Sequence, residues 1–209
     1  MKRYRDFVFD IDGTLLDTER TGVLSLMQTI RELTGVEMPY AEAYRFFGIP
    51  SAKTASILGY ADKALFAEVW ERHFQELMHL VEPFPGVPEV IKDLRAAGAR
   101  LGIVTSRSRF EIDYDACLAE MLPLFDVVVC AEDSLRHKPF PDPMLVYLER
   151  TGARVESTLY LGDTVHDWEC GHAAGCDFAL ADWKGRGVQD IPAEYRFADA
   201  GALRQILNL

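Results

Sequence analysis

The sequence predicts an α/β fold: a parallel sheet with helices on its faces and a second, helical lobe inserted after the first strand. Three observations predict it. Short apolar runs without polar alternation recur along the chain, as in strands covered on both faces. Helical patterns separate most of them, which implies right-handed crossovers between parallel strands. One connection, of about eighty residues, is helical in periodicity and far too long for a simple crossover.

Four runs read as buried strands: Asp6 to Ile11, Arg100 to Val104, Asp126 to Cys130 and Thr158 to Leu161, with a fifth at Asp177 to Ala181. A helix is predicted over Val87 to Ala97, opening after Pro-Gly and closing at Gly98. Others are expected at Arg109 to Glu120, Asp142 to Thr151, Thr164 to Ala174 and Ala202 to Leu207. In the long connection, Leu24, Met27, Ile30 and Leu33 recur at helical spacing, as do Leu65, Phe66, Val69 and Phe74. The proline-rich stretch VEPFPGVP, residues 81–88, marks the return hinge. Residues 1–16 and 84–209 are expected to form the core, and residues 17–83 the inserted lobe.

Hydrophobic residues make up 49% and charged residues 26% of the 209, so a packed core is expected rather than disorder. A net charge of −11 argues against a nucleic-acid partner, because phosphate backbones are bound by basic surfaces. The apolar run after MKRYRD is too short for a signal-peptide core, and no stretch has the length of a membrane span. Cys117, Cys130, Cys170 and Cys176 show neither C-x-x-C spacing nor the density of a disulfide scaffold. Cys130 ends an apolar run and reads as a buried thiol. A cytoplasmic, reduced protein with no membrane partner is expected.

Open α/β sheets bind ligands at the carboxyl ends of their strands. Those ends carry Asp10 and Asp12, then Thr105 and Ser106, then Asp163 with Asp167; the turn around Lys138 joins them if it folds over the same edge. Asp10 and Asp12 share one side of the backbone if strand geometry persists, and two carboxylates so close raise one another's pKa unless a cation lies between them. Asp163 and Asp167, four apart at a helix start, are expected on one face. Converging acids call for a hard divalent cation, and Mg2+ suits oxygen ligands beside a phosphate. Lys138 supplies a positive charge for an anionic substrate, and Thr105 a hydroxyl donor. Each piece alone has a plainer reading: Thr105-Ser106 or Asp163 as a helix N-cap, Lys138 as a solvated loop lysine. Four such features at successive strand ends are hard to attribute to capping.

In order, FDIDGTLLDT, the IVTS strand end, HKPFPDP and YLGDTVHD resemble the four motifs of the haloacid dehalogenase superfamily. The resemblance covers nearly the whole chain. The region between the first two motifs looks like the helical cap of the phosphoglycolate phosphatase and beta-phosphoglucomutase branch. The fold this implies is a Rossmann-like parallel-sheet core with an inserted α-helical cap domain.

Carried onto these positions, the resemblance implies that Asp10 is a nucleophile forming an aspartyl-phosphate, and that Asp12 is the general acid and then the base. Thr105 and Lys138 would hold the phosphoryl group. Asp163 would ligate Mg2+ together with Asp10 and the backbone carbonyl of Asp12, with Asp167 ligating or orienting from behind. Asp12 argues for phosphate chemistry, since the dehalogenases and phosphonate hydrolases of the superfamily lack that acid.

The stretch FFGIPSAK, residues 46–53, resembles the cap loop that faces the active site. Ser51 stands where the sugar-phosphate mutases carry an arginine, which favours a phosphatase over a mutase of the beta-phosphoglucomutase type. Lys53 could reach a substrate anion or simply lie on the cap surface. His137 stands where relatives more often have glycine. Ser106, the last residue of the second motif, is expected on the substrate; Arg107 and Arg109 follow it, and each could touch a substrate carboxylate or solvate a helix start. Trp168 reads as packing, and His166 carries no assignment. The function implied is hydrolysis of a small phosphorylated metabolite by a monomer or homodimer. A phosphorylated receiver domain fits poorly, having no use for the inserted lobe or Asp12, and a dinucleotide-binding protein would need G-x-G-x-x-G after its first strand.

Overall fold

The computed structural model describes residues 4–47, 49, 51–185 and 190–206. Readings that involve residues 1–3, Gly48 and Pro50 of FFGIPSAK, and Leu207 therefore lie outside the described residues. Strands occur at β1 (Asp6–Phe9), β2 (Leu16–Asp17), β3 (Glu82–Pro83), β4 (Arg100–Val104), β5 (Val127–Val129), β6 (Thr158–Gly162), β7 (Asp177–Ala181) and β8 (Tyr195–Phe197). Helices are α1 (Glu19–Thr34), α2 (Tyr40–Ala43), α3 (Ser51–Ile57), α4 (Lys63–Glu76), α5 (Val87–Ala96), α6 (Arg109–Asp113), α7 (Asp142–Thr151) and α8 (Val165–Ala173). The chain divides into two compact units, Met1–Leu16 with Pro83–Leu209, and Asp17–Glu82. The two-residue strands β2 and β3 fall at the division points.

In the first unit, six strands form one parallel sheet in the order β5-β4-β1-β6-β7-β8. Every residue of β1 and β6 is buried, which is why these runs lack polar alternation. The expected parallel α/β sheet is thus present, with β8 an addition at its edge. Three residues with a central arginine carry too little periodicity for sequence reading to find such a strand.

Three expected elements differ in extent or type from what the sequence suggested. The first strand ends at Phe9, not Ile11, so strand geometry does not persist through Asp10 and Asp12. The helix expected over Arg109 to Glu120 stops at Asp113. Just beyond it, the buried Asp115 carboxylate accepts the N–H groups of Cys117 at 2.8 Å and Leu118 at 3.2 Å, turning the chain out of the helix. The last helix is a short 3₁₀ stretch, Ala200–Gln205.

The second unit is helical, as its periodicity predicted, but its buried face is rotated by about one residue from the expected one. Val23, Leu26 and Ile30 of α1 pack with Ala43, Ala55 and Phe66, whereas Leu24 and Met27 are half-buried and Leu65 is exposed. The indole N–H of Trp70 donates to Ser25 Oγ at 2.8 Å, so a polar residue occupies the buried stripe of α1. No helix among the described residues is long and apolar enough to cross a membrane.

Candidate active site

Parallel register aligns three strand ends. Phe9 lies opposite Ile103 on one side and Leu161 on the other, so Asp10, Thr105 and Asp163 leave the sheet at one edge. The Asp10 N–H continues the ladder to the Leu161 carbonyl at 2.9 Å, and the Thr105 N–H reaches the Val129 carbonyl at 3.1 Å. Strand-end backbone therefore fixes where these side chains begin.

Two glycines make room for the acids. Gly13 adopts φ +81°, and a Cβ there would stand 2.1 Å from Asp163 Oδ2. A Cβ on Gly162 would meet Asp167 Cβ at 2.4 Å. Both positions exclude any side chain, and Gly13 also uses the left-handed conformation. The G of DGT and the G of GDT are thus the seats of two carboxylates.

Lys138 ties the acids together. Its Nζ donates to Asp10 Oδ1 and Asp167 Oδ1, both at 2.7 Å, and lies 5.4 Å from the centre of the Tyr160 ring. The Lys138 side chain is 6% exposed, so it is not the solvated loop lysine that its position before Pro139 also suggested. Burial works against its charge, but Asp10 and Asp167 outweigh this and push its pKa up. For Asp10, burial dominates: despite Lys138, it pushes the carboxyl up to about 7, and Asp167 and Asp12 add to the rise. Asp167 goes the other way. Burial raises it, but bonds from Lys138, Thr164 and Tyr160 hold it below the ordinary carboxylate range.

Asp167 is N3 of α8 in a capping box with Thr164, so the helix N-cap is Thr164 and Asp163 precedes the helix. The expected placement of Asp163 and Asp167 on one helix face is corrected accordingly. The two acids converge all the same: ligand atoms of Asp10, Asp163 and Asp167 lie within 4.8 Å of one another. Three buried or nearly buried carboxylates converge, two of them sharing one ammonium, and the donors are all oxygen. That set fits a hard divalent cation, and Gly13 keeps the approach to Asp163 clear.

Asp12 is turned to a different partner. Arg107 Nε and Nη2 donate to its two oxygens at 2.9 and 2.7 Å, and Arg107 Nη1 donates to Asp115 Oδ2 at 2.5 Å. Arg107, expected on substrate or at a helix start, is buried in this network. Thr105 is also buried, and its hydroxyl oxygen accepts the Arg107 N–H at 3.2 Å. Ser108, not Thr105 or Ser106, caps the following helix, in a capping box with Glu111. Ser106 and Arg109 are exposed, and Arg109 bonds Glu132 and Asp133. Lys53 lies exposed on α3, in the helical unit. Trp168 stacks on His172 with ring centres 5.1 Å apart and packs against the core, as expected.

Sequence reading missed Tyr160, Thr164 and Asp115. Thr164-x-x-Asp167 has capping-box spacing and was open to detection. The Tyr160 O–H donates to Asp167 Oδ1 at 2.9 Å; a tyrosine inside a buried strand needs such a partner, but nothing local names it. Asp115 carries no local signal at all.

Comparison with known proteins gives one consistent picture. The family model described as haloacid dehalogenase-like hydrolase matches residues 7–181. A pyrophosphatase, PpaX, of Bacillus velezensis is 31% identical over 194 residues, 92% of this chain and 89% of the relative. A phosphoglycolate phosphatase of Aquifex aeolicus is 30% identical over 182 residues, 86% and 85% of the two chains. A crystal structure from Lactobacillus plantarum, provisionally described as a phosphoglycolate phosphatase, superposes with a TM-score of 0.89 at 26% identity, covering 98% and 99% of the chains. CbbY of Rhodobacter sphaeroides in complex with phosphate shares the fold, with a TM-score of 0.80 at 21% identity over 99% and 100%. The chain is an enzyme of the haloacid dehalogenase-like hydrolase family.

Proposed function

We propose that this hydrolase is a Mg2+-dependent phosphatase that releases phosphate from a small phosphorylated metabolite through an aspartyl-phosphate on Asp10. The observation that carries the proposal is the Asp10 carboxylate, held 2.7 Å from Lys138 at a sheet edge where Asp163 and Asp167 converge on it. Such a carboxylate is aimed, and the ammonium beside it offsets the charge of an incoming phosphoryl group.

In the first step an Asp10 oxygen attacks phosphorus, the bond from phosphorus to the leaving oxygen breaks, and Asp12 gives that oxygen its proton. In the second, Asp12 takes a proton from water as the water oxygen attacks phosphorus. The bond to Asp10 breaks, and inorganic phosphate leaves with Asp10 restored. Lys138 and the Thr105 hydroxyl hold the phosphoryl oxygens. Mg2+, held by Asp10, Asp163 and the Asp12 backbone carbonyl with Asp167 behind them, would supply charge stabilisation. We assign the helical unit the role of cap domain and substrate selection. Of the residues expected on substrate, Ser106 is exposed in the first unit and Lys53 in the second, whereas Arg109 is engaged by Glu132 and Asp133.

The relatives named pyrophosphatase and phosphoglycolate phosphatase both point to small, anionic substrates. The test is phosphate release from a panel of phosphorylated metabolites, pyrophosphate and phosphoglycolate included, with and without Mg2+. Release confined to the Mg2+ arm supports the proposal. Isomerisation of a sugar phosphate without release would replace it with a mutase.

A further inference from the structure

Arg107 sits in the turn between β4 and α6, and its surroundings fix it from several sides. Its N–H bonds Thr105 Oγ1 at 3.2 Å, and its carbonyl accepts the Ala131 N–H at 2.9 Å. Its head is gripped from behind by Asp115, whose side chain is fully buried and whose other oxygen is held by the N–H groups of Cys117 and Leu118. What remains is the fork formed by Nε and Nη2, and that fork meets both oxygens of Asp12.

The two partners differ in freedom. The Arg107 side chain is 6% exposed, whereas that of Asp12 is 39% exposed. A short carboxylate at an open edge has several rotamers available, and a planar fork fixed in position selects one of them. A lysine cannot reproduce this, because an ammonium is a point charge without the paired parallel N–H groups.

We infer that Arg107 is a positioning residue for Asp12: anchored by Asp115, it sets the plane and direction of the carboxylate that handles the proton. The inference rests on the acid/base role of Asp12 proposed above. The fork uses one acceptor site on each Asp12 oxygen, so the proton is carried at a lone pair the fork does not use while both N–H···O bonds keep the carboxylate aimed. Arg107 therefore acts on turnover rather than on substrate binding, and acts only through Asp12.

A double-mutant cycle separates these meanings. Phosphate release from p-nitrophenyl phosphate is measured for wild type, Asp12→Asn, Arg107→Lys and the double variant. The reactive leaving group keeps the first step measurable when Asp12 is removed. Arg107→Lys retains a cation opposite Asp115 and so favours folding, which circular dichroism and thermal melting verify. In the wild-type background it lowers kcat by roughly 10- to 100-fold with KM nearly unchanged. In the Asp12→Asn background the same change lowers kcat by less than about 2-fold, because the residue it positions is gone. Asp115→Asn, which loosens the anchor, gives a smaller loss of the same kind. An equal loss in both backgrounds, or a rise in KM alone, overturns the inference while leaving the role of Asp12 intact. Full activity of Asp12→Asn overturns that role and this inference with it.

Discussion

Gly13 leaves open the space in which the Asp163 carboxylate lies, since a Cβ at residue 13 would stand 2.1 Å from Asp163 Oδ2. Residues 150 positions apart in the chain are therefore matched as socket and plug, with the first acid pair just upstream of the socket. Gly13→Ala forces Asp163 aside and places alanine at φ +81°, a strain of about 1–2 kcal/mol. The expected result is a lowered melting temperature and a Mg2+ requirement shifted to higher concentration. A Mg2+ titration of activity beside a thermal melt checks both.

Lys138 is the only cation bonded to both Asp10 and Asp167 among the described residues. Lys138→Met leaves two buried carboxylates without their ammonium, which costs about 3–5 kcal/mol where one partner of a buried pair is lost. Activity falls by roughly 100- to 1,000-fold, the scale of removing one preorganised donor from a reacting anion. Steady-state kinetics and urea unfolding measure the two effects separately.

Tyr160→Phe removes an O–H that donates to Asp167 at 2.9 Å, with its oxygen 3.3 Å from the Val104 carbonyl, and leaves the shape of the core unchanged. Asp167 keeps its bonds to Lys138 and Thr164. We expect a stability loss of about 1–3 kcal/mol and a modest fall in kcat, read from urea unfolding and phosphate release.

Much of this was legible in the sequence, and the exceptions share a cause. Apolar runs and glycine-bounded helices express local preferences, so the parallel sheet and the acids at its strand ends could be read in advance. Lys138 could be placed beside them, but the buried Arg107 and Asp115 behind Asp12 could not. Arg107 reads as an arginine facing substrate or solvating a helix start until Asp115, eight residues on, is seen to be buried behind it. The same acid shortens α6, because its carboxylate takes the N–H groups of the next turn. In the helical unit, the buried stripe of α1 is displaced because Ser25 is buried under Trp70, a polar residue that a hydrophobic period discounts.

Asp133 provides a pH-dependent test away from the reacting groups. Burial would raise its carboxyl, but bonds from Arg150 and the Cys130 N–H outweigh that and lower it. A folded-state pKa below the unfolded value, about 4, contributes stability that is present above that value and lost as pH falls through it. The stability gap between wild type and Asp133→Asn should be constant from about pH 6 to 8 and shrink below about pH 4. Urea midpoints across that range are the check.

In the proposed reaction Asp10 carries the phosphoryl group. The direct measurement is acid quenching during turnover of a substrate with a radiolabelled phosphoryl group, followed by peptide mapping. Label is expected on the peptide containing Asp10, stable in acid, released by hydroxylamine, and absent from an inactive, folded Asp10→Asn variant. Full activity in Asp10→Asn, or label on any other residue, would contradict it.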